Sequence, residues 1–329
     1  MDLTSINQPN KLEMKNILIT GFAGFIGSHL TEKMLLSGNT VIGVDNFDSF
    51  YARSIKEKNI SEIRNNKNFR LYELDLLNKE GLISVFETNR IELVVHLAAK
   101  AGVRPSIVDP AGYYNTNVIG TLNLLEAMKK GGCKKMIFAS SSSVYGNNKK
   151  VPFSEEDNAD NPISPYAATK KAGELLCHTY CFLYGFNIFC LRLFTVYGPR
   201  QRPDLAIHRF AKLIMEEKAI PFYGDGNTER DYTFINDIVN GIIGAINNLN
   251  GYDIFNIGES KTITLSKMVS VLENVLGKKA ILEKLPLQPG DVQRTYADIS
   301  KAQRKLNYSP SFPFEKGIEE FINWFNKNY

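Results

Sequence analysis

The feature that most constrains the fold is a glycine-rich segment between a short apolar run and a helical pattern. Residues 16–20 form the apolar run. Three glycines follow at once, at positions 21, 24 and 27. Apolar residues then recur at helical spacing over 28–37, and a second apolar run over 40–44 ends in Asp45. This order predicts a strand, a tight turn, a helix and a second strand, which together form a βαβ unit.

Strand-like runs alternate with helical patterns as far as residue 193. The strand candidates are 69–74, 93–98, 135–139 and 188–193, and two of the helical patterns are 116–130 and 166–184. Strands that alternate with helices form a parallel sheet that is covered on both faces. The sequence therefore predicts an α/β fold with a Rossmann-type, doubly wound parallel sheet.

Beyond residue 194, glycines and prolines break the chain into shorter pieces, which indicates a second and smaller unit. We predict a first domain over 14–197 and a C-terminal α/β domain for the substrate over 198–329. Residues 232–258 contain two further strand-like runs, and we expect them to return to the first domain. A length of 329 residues fits two domains.

Composition and charge exclude several classes of protein. Apolar residues make up 43% and charged residues 22%, which is unlike a disordered or fibrous chain. The net charge of +4 is too small to predict nucleic-acid binding, but it suits a small anionic ligand if cations converge on one cleft. No apolar run approaches the roughly 20 residues of a membrane span, so no membrane partner is expected.

The cysteines and the N-terminal segment favour a reducing, cytoplasmic location. Four cysteines without a C-x-x-C pair do not make a disulfide framework. Cys177, His178 and Cys181 lie close together, but on a helix the histidine points away from the two cysteines. We therefore expect core packing there and no metal site. Residues 1–13 are polar and lack the apolar core of a signal peptide.

The glycine segment has the features of a dinucleotide-binding turn. Without Cβ atoms the backbone can approach a pyrophosphate, and the start of the following helix offers free N–H groups and a positive dipole end. Asp45 lies 18 residues after Gly27, at the end of the second strand. A carboxylate there accepts from the ribose 2′-hydroxyl of NAD and repels the 2′-phosphate of NADP, so we predict NAD as the cofactor.

Further cofactor contacts are expected where the next strands end. Asp75 follows the third strand and would border the adenine or cap a helix, and small residues after the fourth strand leave room for the cofactor at the sheet edge. The predicted cofactor-binding set is Gly21, Gly24, Phe25, Ile26, Gly27, Asp45, Asn46, Asp75, Leu76, Leu97, Ala98, Ala99, Lys100, Tyr166 and Lys170.

Tyr166 and Lys170 form a candidate catalytic pair. Four positions apart on a helix, they share a face, and Pro165 suits the start of that helix. A tyrosine is a poor base at neutral pH, but a neighbouring cation and a positive nicotinamide ring would favour its phenolate and lower its pKa. The four serines 140–143 follow a predicted strand, so their hydroxyls would lie opposite the tyrosine at the carboxyl edge of the sheet.

In this combination and order, the motifs resemble the extended short-chain dehydrogenase/reductase family, and within it the nucleotide-sugar 4-epimerases. The resemblance runs from about Lys15 to the C-terminus. It implies that Ser141 is a hydrogen-bond donor, that Tyr166 is the base and that Lys170 activates it. It also implies the mechanism. Tyr166 takes the proton of the sugar 4-hydroxyl while hydride passes from carbon 4 to NAD, the 4-keto sugar turns over, and hydride returns to the opposite face.

Four further positions bear on the choice of sugar. Sugar 4,6-dehydratases carry an Asp-Glu pair, and UDP-glucuronate decarboxylases a Glu, where this chain has Ser142 and Ser143. UDP-glucose 4-epimerases place Asn where this chain has Thr195; Thr195 followed by Arg202 resembles the UDP-glucuronate 4-epimerases. The resemblance implies that these four residues hold the sugar carboxylate while UDP-glucuronate becomes UDP-galacturonate. The 4-keto sugar is a β-keto acid, which can lose carbon dioxide. Residues that hold the carboxylate out of alignment with the carbonyl would oppose that loss.

The nucleotide end of the substrate is expected to meet further charged residues. Arg230 and Arg294 resemble the family's diphosphate ligands, and arginine suits phosphate because its planar fork donates hydrogen bonds in pairs. Asp291 would bind the uridine ribose. Arg104 would face the sugar or a neighbouring carboxylate.

Three alternatives stay open at this point. Epimerisation of UDP-glucose or UDP-N-acetylglucosamine is disfavoured by Thr195 with Arg202, and decarboxylation by Ser143. An NAD-bound sensor without turnover is disfavoured by the retention of Tyr166 and its neighbours. The family resemblance also suggests that the helices over 116–130 and 166–184 pair across a homodimer, with packing inside one chain as the alternative.

Overall fold

The computed structural model describes residues 15–286 and 293–329. Its strands are β1 Asn16–Thr20, β2 Thr40–Asp45, β3 Phe69–Glu73, β4 Leu93–His96, β5 Lys135–Ser141, β6 Asn187–Leu193, β7 Thr195–Tyr197, β8 Ala219–Tyr223, β9 Glu229–Arg230, β10 Tyr232–Phe234, β11 Tyr252–Ile257, β12 Ile263–Thr264 and β13 Ile281–Leu285. Its α-helices are α1 Phe25–Leu36, α2 Arg53–Asn59, α3 Lys79–Thr88, α4 Val103–Val108, α5 Pro110–Tyr114, α6 Gly120–Lys130, α7 Pro165–Tyr184, α8 Ala206–Met215, α9 Ile235–Asn247, α10 Leu265–Leu276, α11 Ser300–Leu306 and α12 Phe314–Asn328.

Seven strands form one parallel sheet in the order β11-β6-β5-β4-β1-β2-β3. The order reverses between β1 and β4, which is where ligands bind in open α/β sheets. Two apolar core clusters cover opposite faces of this sheet; neighbouring strand residues such as Ile17 and Leu18 belong to different clusters. The prediction of a Rossmann-type, doubly wound parallel sheet is confirmed.

The C-terminal part of the chain adds three two-stranded pairs, β7 with β10, β8 with β13 and β9 with β12. Within the segment 232–258, β10 pairs with β7, whereas β11 pairs with β6 as an edge strand of the large sheet. The buried side chains of α8, α9, α10 and α12 pack into the larger of the two core clusters.

Several predicted boundaries shift in ways that matter for the site. The first helix begins at Phe25, directly after the glycine turn, instead of at Ser28. The strand β5 runs on to Ser141, so the first two of the four serines are strand residues, and Ser142–Tyr145 form a single 3-10 turn. The helix predicted over 116–130 is interrupted, because a π-helical turn over Asn115–Ile119 joins α5 to α6.

The helix α7 follows its sequence signals closely. The Ser164 side chain accepts a hydrogen bond from the N–H of Ala167, Pro165 occupies the first turn, and Gly185 ends the helix in the left-handed conformation. Over the described residues, no helix combines the length and the hydropathy that crossing a membrane would need.

Candidate active site

A cavity of about 410 Å³ lies at the carboxyl edge of the large sheet. Its walls come from the ends of β1, β2, β4, β5 and β6, from the start of α1 and from one face of α7. All fifteen predicted cofactor residues line it, as do Ser141, Ser142, Ser143, Thr195 and Arg202. Segments that are far apart in the sequence thus meet at the point where the strand order reverses.

Main-chain packing shapes the end of the cavity that is lined by Gly21, Gly24 and Gly27, here called the glycine end. A Cβ atom on Gly27 would overlap the carbonyl oxygen of Gly21, and one on Gly21 would lie 2.7 Å from the backbone nitrogen of Ala98. Gly21 also has φ +72°, in the left-handed region. No side chain caps the start of α1 at Gly24. Open N–H groups at an uncapped helix start, with no Cβ in the way, fit a dinucleotide diphosphate.

Asp45 ends β2 beside this turn and is 7% exposed. It accepts hydrogen bonds from the N–H groups of Ala23 at 3.2 Å and Phe47 at 2.8 Å. Burial raises the pKa of Asp45, while the Lys56 ammonium at 3.7 Å and the two N–H donors oppose that rise. A carboxylate fixed at the edge of the cavity is the group that a ribose diol needs.

Lys56 was not predicted from the sequence, although it lines the cavity. It is 6% exposed and its ammonium lies 5.0 Å from the ring centroid of Tyr51, another cavity residue. Nothing in the spacing of this lysine marks it, since α2 places it beside Asp45 only when the chain is folded.

The loop after β4 is tied to the catalytic helix by Asn117, in the π-helical turn. Its side chain accepts from the N–H of Lys100 and donates to the carbonyl of the same residue, both at 2.9 Å. It also donates to Thr169 at 3.0 Å, and Thr169 donates to the carbonyl of Tyr166 at 2.8 Å. The sequence reading missed Asn117; a polar residue inside an apolar helical pattern was the available signal.

Elsewhere in the cavity lining, Asn46 donates to Asp75 at 2.7 Å, which joins the ends of β2 and β3. Asp75 also accepts from the N–H of Leu77 at 2.8 Å, as a turn-capping residue does. Asp75 lines the cavity, as expected, but it caps a turn and not a helix, because the N-cap of α3 is Asn78.

Ser141, Tyr166 and Lys170 lie together in the cavity wall. Burial raises the pKa of Tyr166, whereas a hydrogen bond with Ser141 and the positive charge of Arg202 lower it. The Lys170 ammonium donates to the carbonyl of Ala139 at 2.7 Å, and burial lowers the pKa of Lys170 to about 8. Burial is the largest of these effects, so the net direction for the pKa of Tyr166 is upward. The phenol oxygen is the atom at which this arrangement can hold or move a proton.

Arg202 approaches the same phenol from the segment between β7 and α8. Its guanidinium pairs with Asp204 through Nε at 2.9 Å and Nη2 at 2.7 Å, and Nη2 also donates to the carbonyl of Ala101 at 3.3 Å. Its Cζ lies 5.2 Å from the ring centroid of Phe50. Arg202 therefore joins the C-terminal part of the chain to loops on the cofactor side.

The other predicted substrate residues lie outside the cavity lining. Arg104 is exposed, with its guanidinium 4.8 Å from the ring centroid of Tyr223. Arg230 donates to the carbonyl of Glu229 at 2.9 Å, and Arg294 pairs with the Glu229 carboxylate at 2.6 Å. Asp291 falls outside the described residues. These positions neither support nor contradict a nucleotide site.

The cysteine cluster has the surroundings of a core. Cys177 is fully buried in a core cluster, and Cys181 packs against the same cluster. Within 15–286 and 293–329, no three His, Cys, Asp or Glu side chains are grouped so that they could hold a metal ion.

With this geometry in view, the similarity to known proteins becomes informative. Residues 18–321 match the family model for GDP-mannose 4,6 dehydratase. A UDP-glucuronate 4-epimerase from Thermodesulfobacterium geofontis (strain OPF15) is 46% identical over 312 residues, which cover 94% of this chain and 96% of that protein.

Solved structures of UDP-sugar 4-epimerases are also similar to this chain. The UDP-glucuronic acid 4-epimerase of Bacillus cereus, crystallised with UDP-glucuronic acid and NAD, has a TM-score of 0.90 at 39% identity and covers 95% of this chain and 100% of that chain. The UDP-glucose 4-epimerase of Thermotoga maritima with UDP-glucose has a TM-score of 0.86 at 35% identity and covers 95% and 99%. The resemblance seen in the motifs is thereby confirmed, and the chain belongs to the extended short-chain dehydrogenase/reductases, the family of NAD-dependent nucleotide-sugar epimerases and dehydratases.

Proposed function

We propose that this NAD-dependent UDP-sugar 4-epimerase converts UDP-glucuronate to UDP-galacturonate. The observation that carries the proposal is that one cavity is lined by Tyr166 and by four residues that could bind a carboxylate, namely Ser142, Ser143, Thr195 and Arg202. Three donors and a cation suit a sugar carboxylate. A neutral hexose would offer these hydroxyls no carboxylate acceptor, and Arg202 would keep only its contacts with Asp204 and Ala101.

The residues around the glycine turn fit NAD. The N–H groups at the start of α1 would hold its diphosphate and Asp45 its adenosine ribose, while Tyr166 and Lys170 lie in the same cavity wall. When bound, the nicotinamide ring would accept hydride from carbon 4 of the sugar and return it to the opposite face.

Tyr166 would take the proton of the sugar 4-hydroxyl and later return it. Ser141 and Arg202 favour the phenolate by a hydrogen bond and by charge, and Lys170 lies one helical turn away. Ser141 would also donate to the sugar oxygen once that oxygen becomes a carbonyl. In this arrangement the protein supplies the base and the orientation of the substrate.

The carboxylate cluster would also decide what happens to the 4-keto intermediate. Loss of carbon dioxide from a β-keto acid requires the bond to the carboxylate to align with the carbonyl π system. Hydrogen bonds from Ser142 and Thr195, together with the Arg202 guanidinium, would hold the carboxylate away from that alignment. Ser142 and Ser143 also stand where dehydratases of the family carry an acid–base pair, so elimination of water lacks its catalytic groups.

Arg230 and Arg294 are proposed to contact the UDP diphosphate, and Arg104 the sugar side, as the family resemblance implies. We also propose the division into an NAD-binding domain over 14–197 and a nucleotide-sugar domain over 198–329, with 232–258 returning to the first. The pairing of β11 with β6 supports that return.

A homodimer is proposed from exposed apolar side chains on α4 and α7. Val108 is 87% exposed, Leu175 57% and Phe182 82%. Large apolar side chains that are this exposed are candidates for an interaction surface. Light scattering on the Phe182→Asp variant should show a monomer where the parent is a dimer. Leu36, 86% exposed on α1, provides the control, since Leu36→Asp should leave the dimer intact.

The substrate is tested by incubating the purified protein, without added NAD, with UDP-glucuronate and separately with UDP-glucose, and following the products by proton NMR. Selective formation of UDP-galacturonate is expected. Release of carbon dioxide as the main outcome, or faster turnover of UDP-glucose, would contradict the proposal.

A further inference from the structure

A buried ion pair lies behind the catalytic helix. Glu174 and Arg192 are each 1% exposed, and Nε and Nη2 of Arg192 donate to the two carboxylate oxygens of Glu174 at 2.9 Å each. Ser140 donates to the same carboxylate at 2.6 Å. Because desolvation of two charges offsets much of their attraction, a pair buried this deeply is weak evidence for a purely stabilising role.

This carboxylate joins the two elements that carry the catalytic side chains. On α7, Glu174 follows Lys170 by one turn and Tyr166 by two, on the same face. On β5, the Ser140 hydroxyl donates to the Glu174 carboxylate, and Ser140 directly precedes Ser141. A shift of α7 along β5 would therefore break the hydrogen bond between Ser140 and Glu174.

The contact between these elements is unusually close. A Cβ atom on Gly173 would overlap the ring of Phe138, so α7 approaches β5 as closely as a helix without a side chain allows. The Lys170 ammonium donates to the carbonyl of Ala139 on the same strand. Three consecutive strand residues, 138–140, thus contact one helix face.

Arg192 extends the connection to the 3-10 turn Ser142–Tyr145. Its guanidinium lies 4.7 Å from the ring centroid of Tyr145, the last residue of that turn. The Tyr145 hydroxyl donates to Asn256 on β11 at 2.6 Å, and Asn256 donates to the carbonyl of Phe153 at 2.8 Å. The ion pair is therefore the centre of a buried network that reaches β5, α7, β6 and β11.

The same carboxylate supplies negative charge near Lys170. Burial lowers the pKa of Lys170, and Cys177 and Glu174 on its own helix oppose that change. Of these two, Glu174 also holds the ion pair with Arg192. From β4, His96 faces Lys170 but is uncharged, because burial and Lys170 lower the pKa of His96 to about 3. Tyr166, one turn earlier, would become negative only on deprotonation.

We propose that Glu174 and Arg192, with Ser140, are positioning residues for the reaction. Their network fixes the helix of Tyr166 and Lys170 against the strand that ends in Ser141, and it places the Glu174 carboxylate one helical turn from Lys170. The proposal rests on the function proposed above, since it assigns these residues to that site.

The test compares Ser140→Ala, Glu174→Gln and the double variant Glu174→Gln with Arg192→Gln, using kcat and KM for UDP-glucuronate across pH. Ser140→Ala should lower kcat by about tenfold, and Glu174→Gln by about a hundredfold, with KM changed less than kcat, because small displacements of catalytic groups are costly. Without the Glu174 charge, Lys170 loses its proton more easily, so the alkaline limb of the kcat profile should move to lower pH in both Gln variants but not in Ser140→Ala.

Two controls and the double variant separate positioning from mere stability. Ser106→Ala removes an equally buried hydroxyl that donates only to the carbonyl of Val103, and Glu73→Gln removes the carboxylate of an exposed ion pair with Arg53. Both should keep the parent kcat. Glu174→Gln alone leaves a buried cation and is expected to melt earlier, whereas the double variant leaves no lone charge. Parent kcat and an unmoved alkaline limb in a folded double variant would overturn the proposal.

A second measurement is independent of the substrate. NMR titration of the protein labelled with ¹³C at lysine Cε, with the Lys170 signal assigned by its loss in Lys170→Arg, reports the proton affinity of this ammonium directly. A lower midpoint in both Gln variants supports the proposal even if UDP-glucuronate is not turned over. An unchanged midpoint would overturn the electrostatic part while leaving the proposed function intact.

Discussion

The two ends of the cavity are built in different ways. At the glycine end, main-chain atoms set the shape: Gly21 and Gly27 touch backbone, and the start of α1 presents N–H groups. At the other end, which we propose as the sugar end, side chains from three separate segments line the cavity, and Asp204 and the carbonyl of Ala101 hold the Arg202 guanidinium. A backbone site tolerates almost no substitution, whereas a side-chain site can be rebuilt for another sugar. The two ends should therefore respond differently to mutation.

The largest effect is expected where the two ends meet, at the phenol. Tyr166→Phe removes the proton acceptor while keeping the ring, which lies 6.2 Å from that of Tyr113. Turnover of UDP-glucuronate should fall by about 10²–10⁴-fold, the usual contribution of a general base. Bound NAD, released by denaturation and quantified by absorbance, should stay near the parent level. Loss of NAD in this variant would show that the phenol belongs to the cofactor end instead.

At the glycine end, Gly27→Ala places a Cβ atom against the carbonyl of Gly21. The carbonyl of Gly21 cannot rotate away like a side chain, so the overlap can be removed only if the start of α1 moves. We therefore expect the variant to lose bound NAD and all activity. Overpacking of this kind costs about 1–3 kcal/mol of stability. Thermal melting with and without NAD measures both effects.

Gly132 supplies a control in which the added Cβ atom meets open space. Unlike Gly27, it has a positive φ, +73°, and a Cβ there would meet nothing within 4 Å. Gly132→Ala should lose some stability and keep its NAD. Equal NAD binding in the two alanine variants would refute the backbone account of the glycine end.

At the sugar end, Arg202→Ala should change selectivity without unfolding the protein. Loss of a charged hydrogen-bonding group is expected to raise KM for UDP-glucuronate about 10- to 100-fold. KM for UDP-glucose should change much less, and the share of pentose product should rise. Thr195→Ala should act in the same direction but less strongly. If neither variant alters uronate affinity or the ratio of pentose to epimer, the carboxylate does not bind there.

The smallest effect is expected at Asp45, whose carboxylate lies beside the glycine turn. Asp45→Ala removes the acceptor for the adenosine ribose, which should weaken NAD binding by about tenfold. It also leaves the Lys56 ammonium without its carboxylate partner, so NADP should bind better relative to NAD. Calorimetry with both dinucleotides on the apoprotein measures the ratio. Asp48→Ala, in the same loop, serves as the control, and an unchanged ratio in Asp45→Ala would remove the basis for NAD selectivity.

Much of the fold and one end of the site could be predicted from the sequence because they depend on neighbours along the chain. The glycine turn, the Ser-Pro start of α7 and the strand–helix alternation are local patterns, and the parallel sheet follows from them. Boundaries were less accurate. The extension of β5 to Ser141 is set by its register with β6, where Ser141 lies opposite Leu193, and that pairing leaves no local signature.

The site residues that could not be predicted are those whose contacts are with residues distant in the sequence. Lys56 carries no pattern until α2 brings it to Asp45, and Asn117 is recognisable only when it spans Lys100 and Thr169. Arg294 matched a family position, but its guanidinium lies against Glu229.

By itself the sequence determined the parallel α/β sheet, the dinucleotide turn and the pairing of Tyr166 with Lys170 on one helix face. Each of these needs only residues within about one strand–turn–helix unit. Only the tertiary structure decided that the charge of Arg202 opposes the burial that raises the pKa of the Tyr166 phenol, and that Glu174 pairs with Arg192 behind it. The physical reason is that charges act across space, and the packing of α7 on β5 and β6 sets distances that spacing along the chain does not encode.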